Sequence, residues 1–160
     1  MLLTSFKTKL LNYILLILFI VPIAAAAKIG EVTQQIGQDA SILRDKDTIV
    51  VGEGTGVNMD DTITTSKAKL KLTFDDDTKV NITQQSKLVI DDFVYDPATG
   101  VGKLAMNVAM GTVRFASGGI AKNNRANVVL KTPTATIGVR GTDFTMTVDE
   151  IGRSLVILLP

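Results

Sequence analysis

Residues 66–83 read SKAKLKLTFDDDTKVNIT, and their alternation decides the class of fold. Side chains along a strand point to opposite faces with a period of two. Ala68, Leu70, Leu72 and Phe74 therefore share one face, and Lys67, Lys69, Lys71 and Thr73 share the other. Asp75-Asp76-Asp77-Thr78 interrupts the pattern, and Val80 and Ile82 resume it. An apolar-in, polar-out hairpin belongs to an antiparallel sheet with one face on a core.

The same pattern spreads outward from this hairpin. SKLVI at 86–90 brings Leu88 and Ile90 to one face. KLAMNV at 103–108 aligns Leu104, Met106 and Val108; GTVRFA at 111–116 aligns Val113 and Phe115. A turn at Ser117-Gly118-Gly119 is expected to close that pair. KIGEVTQQ (28–35), ASILR (40–44) and DTIVV (47–51) are shorter strand candidates separated by Gly and Asp. Short strands with turn signals roughly every 8–12 residues predict an all-β fold. The alternatives are an antiparallel sandwich or jelly-roll-like roll, or a short β-solenoid, and periodicity leaves them open. SLVILLP at 154–160 is apolar almost throughout. It reads as a buried last strand, as a strand paired with another chain, or as the mark of a truncated frame.

Residues 1–27 are of another kind. Lys7 and Lys9 form a short basic start, Leu10–Ile23 an apolar run, and Ala25-x-Ala27 a small-residue cleavage site before Lys28. That is the pattern of a secretory signal peptide, with an uncleaved anchor as the alternative. The expected organisation is a signal-peptide helix at 1–27 and one β-domain at 28–160. Contact with a membrane is expected only through the first segment, if it stays attached.

Composition excludes several classes of function. The 17 basic and 16 acidic residues nearly cancel, so no strong field draws nucleic acid. Aromatics make up 5%, too few for a base-stacking platform. With no His and no Cys, the His- and Cys-based nucleophilic triads and the usual zinc sites are absent. No carboxylate pair is selected by spacing. We therefore expect no enzyme, no catalytic residues, no metal site and no cofactor.

Asp75-Asp76-Asp77 reads as a solvated hairpin tip, because the Gly and distant Glu of a calcium loop are missing. Asp91, Asp92 and Asp96 before Pro97 read as an acidic loop with an Asx-type turn. The Lys67-Lys69-Lys71 row reads as protection of an edge or face, with an acidic partner or anionic polysaccharide as the alternative.

VVLKTPTATIGVRGTDFTMTV at 128–148 carries the most specific signal. Ala135, Ile137 and Val139 share one face, whereas Phe144, Met146 and Val148 share a face of opposite parity. If both rows reach one core, the chain must change parity between them, and Gly141 is the natural bulge or tight turn. Arg140 sits at that corner, either as a clamp on loop acceptors or as a contact for a ligand or partner.

This stretch closely resembles the motif of the FecR domain family, TP-x-A-x-x-G-V-RGT-x-F followed by a strand. The matching positions are Thr132, Pro133, Ala135, Gly138, Val139, Arg140, Gly141, Thr142 and Phe144. DDTITTSKAKLKLTFDDDTKVNI resembles the family's entry and first hairpin, although Asp60 and Asp77 stand where it usually has glycine. KLAMNVAMGTVRF resembles a later strand. The resemblance implies an exported bacterial module, periplasmic or at the cell surface, that binds a protein partner in envelope signalling. Namesake members also carry a cytoplasmic anti-sigma domain; the few residues before the apolar run here leave no room for one. An extracellular structural or glycan-associated β-domain, with polysaccharide as its partner, is the alternative.

Overall fold

The computed structural model describes residues 27–139 and 143–159. The expected leader helix lies outside these residues, as do Arg140, Gly141 and Thr142 of the motif. Among the described residues no helix is long and apolar enough to cross a membrane.

The chain is all-β. Its strands are β1 (Lys28–Ile36), β2 (Ala40–Arg44), β3 (Asp47–Val50), β4 (Gly56–Asn58), β5 (Thr62–Thr65), β6 (Lys69–Phe74) and β7 (Lys79–Ile82). They continue with β8 (Ser86–Tyr95), β9 (Gly102–Ala116), β10 (Val128–Lys131), β11 (Thr136–Gly138), β12 (Asp143–Val148) and β13 (Ser154–Leu158). Between β9 and β10 lie a one-turn helix, α1 (Gly119–Asn123), and a 3-10 turn at Arg125–Asn127. The expected hairpin is β6–β7, with Leu70 opposite Ile82 and Leu72 opposite Val80.

One strand organises the rest. Residues 103–108 and 111–116, expected as two strands, form the single 15-residue β9. Its first part lies between β8, antiparallel, and β10, parallel; its last part lies between β7 and β12, both antiparallel. From β9 one half of the sheet runs through β8, β5 and β2 to β3, and the other through β7, β6 and β1 to β4. The sheet curls so that both halves contribute to one core. Phe74 of one half stacks on Phe93 of the other at 5.5 Å, and Phe115 stacks on Phe144 at 5.3 Å. Ring pairs of this kind add about 0.5–1.5 kcal/mol beyond the area they bury.

The merger of the two expected strands has a local cause. Leu104, Met106 and Val108 are even-numbered, Val113 and Phe115 odd-numbered, and all are buried. A regular strand would expose one set. The register against β8 shifts between Val108 and Met110, beside Gly111, whose φ of +91° is a conformation glycine adopts freely; at this bend the chain changes parity without leaving the sheet. Ser86 packs against this bend and its Oγ accepts a hydrogen bond from Thr112 N at 3.2 Å. β8 shows a second shift, between Ile90 and Asp92, which carries the strand five residues past the expected end to Tyr95. Asp91 and Asp92 are therefore strand residues, ion-paired with Lys131 and Lys103. Asp96 does make the expected turn, accepting from Ala98 N and Thr99 Oγ1, and the Thr99 bond holds its carboxyl below the usual range.

Two further expectations are corrected. Ser117-Gly118-Gly119 does not close a hairpin; it leads into α1. The hairpin tip at 75–77 is not uniformly solvated, because Asp76 is buried. Its carboxylate accepts from Thr78 N at 3.0 Å, Thr78 Oγ1 at 2.8 Å and Ile120 N at 3.1 Å, and so ties the β6–β7 turn to the start of α1. Of the two protections read for the Lys row, the structure selects the face. β6 lies between β1 and β7, so Lys69 and Lys71 guard a face rather than an edge, while Lys67 sits in the turn before the strand.

Candidate functional site

The motif residues divide into two groups by burial. Thr132, Val139 and Phe144 are buried; Pro133, Ala135 and Gly138 are exposed. Ala135 is therefore not the inward residue that alternation predicts. β11 is only three residues long and pairs with β10, so it forms a short outer strand rather than the first half of a bulged strand continuing into β12. Val139 and Phe144 both reach the core; Arg140, Gly141 and Thr142 between them lie outside the described residues.

Thr132 holds the Thr-Pro-Thr-Ala turn together. Its Oγ1 accepts from Ala135 N at 3.0 Å and from Ser154 Oγ at 2.7 Å, and its N–H donates to Ala135 O at 2.8 Å. Thr134 Oγ1 donates to Gly152 O at 3.0 Å. The turn is thus clasped to the β12–β13 hairpin and presents Pro133 and Ala135 outward. A side chain built at Gly138 meets no described atom within 4 Å, and its φ is not in the left-handed region. Neither backbone geometry nor packing against the described residues calls for glycine there.

The same hairpin borders a cleft of about 610 Å³. Its walls come from the β5–β6 turn (Ser66, Lys67), the β7–β8 turn (Gln84, Gln85), the bend of β9 (Met110, Thr112) and the β12–β13 turn (Asp149, Glu150). Gln85 has φ +53°, a strained conformation for a residue with a side chain. Asp149 accepts from Arg153 Nε at 2.6 Å, which holds its carboxyl below the usual range. The lining mixes hydroxyl, amide and charged groups with the apolar Met110 and Val148, and has no aromatic ring. Among the described residues no group of three or more His, Cys, Asp or Glu gathers to hold a metal.

A clamp of the kind considered for Arg140 exists elsewhere, at Arg44. Asp61 is 0% exposed. Arg44 donates from Nε to Asp61 Oδ1 and from Nη2 to Asp61 Oδ2, both at 2.8 Å, and Nη2 also reaches Gly56 O at 2.9 Å. Asn58 N adds a third bond to the carboxylate at 2.8 Å. The hydrogen bonds to Asp61 hold the Arg44 guanidinium above its ordinary pKa. This fork joins the β2 end to the β4–β5 turn.

The family model described as FecR protein matches residues 60–159. The chain belongs to the FecR protein family. No curated protein and no solved structure matches it. FecR membership makes sense of two departures noted in the sequence. Asp60 and Asp77 stand where the FecR pattern has glycine, and both have φ +64°. The glycines of the pattern suit left-handed turns, and this chain holds the same turns with aspartate, which tolerates them better than most residues. Asp77→Gly is expected to stabilise the protein by about 0.5–1 kcal/mol, read as a higher urea midpoint. A lower midpoint would mean that the Asp77 side chain does something for the turn.

Several residues of this FecR chain escaped the sequence reading. Arg44 was only the polar end of a strand candidate, and Asp61 only part of the family entry. The cleft is built from three turns and the bend of β9, which lie far apart in the chain, and nothing local marks them as one site. Arg44, the lone cation closing the apolar stretch ASIL, was the one available signal.

Proposed function

We propose that the chain is an exported, non-catalytic binding module of bacterial envelope signalling, with residues 1–27 as its leader and 28–160 as the binding domain. The observation that carries this reading is the division of the FecR motif. Thr132, Val139 and Phe144 are buried; Pro133, Ala135 and Gly138 lie on the surface, and a Cβ at Gly138 would meet no described atom within 4 Å. A glycine left open on an outer strand gives another backbone close access. Arg140, Gly141 and Thr142 continue the same motif and are proposed to belong to the same contact. The partner is a protein of the periplasm or cell surface, and anti-sigma activity is not part of this proposal.

The hydroxyl and amide groups on the wall of the cleft favour a second reading, a glycan-associated β-domain, although carbohydrate sites commonly add an aromatic surface for stacking. Cross-linking in intact envelopes followed by isolation of the chain separates the two. Covalent capture of a transporter or membrane regulator is expected. Retention on envelope polysaccharide alone would support the second reading and contradict the first.

A further inference from the structure

The outermost strands of the sheet are β3, β4, β11 and β13. An unpaired edge offers backbone donors and acceptors to any other strand, and proteins blunt such edges with charge, proline or shortness. β3 carries Asp47 and follows Lys46, while β4 and β11 have three residues each. β13 has no charge or proline within it and is longer than the other three. It reads Ser-Leu-Val-Ile-Leu, without charge, and Leu155, Val156, Ile157 and Leu158 are 59%, 38%, 50% and 70% exposed. Val156 and Leu158 lie opposite Met146 and Phe144, on the core side of the sheet, yet remain open. Leu155 and Ile157 lie on the outer side, opposite Thr147 and Thr145. Both faces of the strand are therefore apolar and left uncovered by the described residues.

The register shows which backbone groups are free. Asp149 N donates to Arg153 O and Leu159 N to Asp143 O, so the odd-numbered residues of β13 bond to β12. By the alternation of an antiparallel ladder, the N–H and C=O of Ser154, Val156 and Leu158 point away from it. These three positions are symmetric about Val156. A second β13, run antiparallel across a two-fold axis at Val156, sets Val156 against Val156 and Ser154 against Leu158, and pairs every outward group. A two-fold contact brings like against like, so a charged strand would repel its copy. β13 is uncharged, and the charges flanking it are already neutralised: Arg153 pairs with Asp149 at 2.6 Å and Asp143 with Arg114 at 2.5 Å. A strand added here must itself be apolar on both faces, and β13 is such a strand.

We propose that two copies of this chain associate through β13, joining their sheets in the order β12–β13–β13–β12 around an axis at Val156. The proposal does not depend on the signalling reading. It is tested by sedimentation equilibrium and by cysteine cross-linking of the expressed chain, which has no cysteine of its own. A concentration-dependent dimer is expected. Val156→Lys, which places two ammonium groups at the axis, is expected to weaken it about a hundredfold while the β-sheet circular dichroism stays unchanged. Val156→Cys is expected to form a disulfide-linked dimer under mild oxidation, since residues bonded across such a ladder have Cα atoms about 5.5 Å apart, within disulfide reach. Leu158→Cys is expected not to, because its copy would lie about 14 Å away. A monomer at all concentrations without cross-linking of Val156→Cys would overturn the proposal. So would equal cross-linking of the two cysteine variants, which would indicate random collision.

Discussion

Arg44→Ala is expected to cost about 3 kcal/mol, a large part of the stability of a domain this size. Asp61 has no exposure to water, and its carboxylate is held by the guanidinium fork and the Asn58 N–H. Removing Arg44 leaves a buried carboxylate without its cation. The estimate sits at the low end for a broken buried pair, because the Arg44 side chain is 29% exposed and water can partly refill its place. Arg44→Lys is expected to recover only part of the loss: it restores the charge, but not two parallel bonds together with the reach to Gly56 O. The urea midpoint reads both variants. An unchanged midpoint in Arg44→Ala would mean that the fork does not carry the buried charge.

Gly111→Ala is expected to cost about 3 kcal/mol or more. Two effects add. The added methyl would overlap Ser86 Oγ and lie 2.5 Å from Ser86 Cα, and the backbone stands at φ +91°. Left-handed strain costs roughly 1–2 kcal/mol and overpacking roughly 1–3 kcal/mol. Gly54→Ala separates them. Gly54 has φ +83° but nothing within 4 Å of an added Cβ, so it should show the strain alone, about 1 kcal/mol. Equal midpoints for the two variants would contradict the close approach of Ser86 at the bend of β9.

These two sites also mark where sequence reading reached and where it stopped. The alternation of Ala68, Leu70, Leu72 and Phe74 told the strand, its face and its hairpin, because the period of two is a local property of the chain. β9 was not legible as one strand, because a parity change between Val108 and Gly111 looks in sequence like a turn between two strands. Only its four pairing partners show that the chain passes straight on. The parallel contact of β10 with β9 is non-local and leaves no periodic trace. Asp76 looked like one of three solvated acids; its burial depends on α1, more than forty residues away. In the motif, conformity to the FecR pattern was legible residue by residue. The division of those residues between core and surface was not, since alternation put Ala135 inward and the shortness of β11 leaves it exposed. SLVIL was rightly flagged as apolar, and its place at an outer edge came only from the sheet order.

The proposal that the exposed part of the FecR motif is a contact surface is tested most directly at Gly138. Gly138→Gln should be assayed for its urea midpoint and, in the same envelope preparations, for the amount of partner cross-linked. The account predicts stability within about 0.5 kcal/mol of the parent and capture reduced about tenfold. Undiminished capture at unchanged stability would contradict the assignment of that surface to recognition.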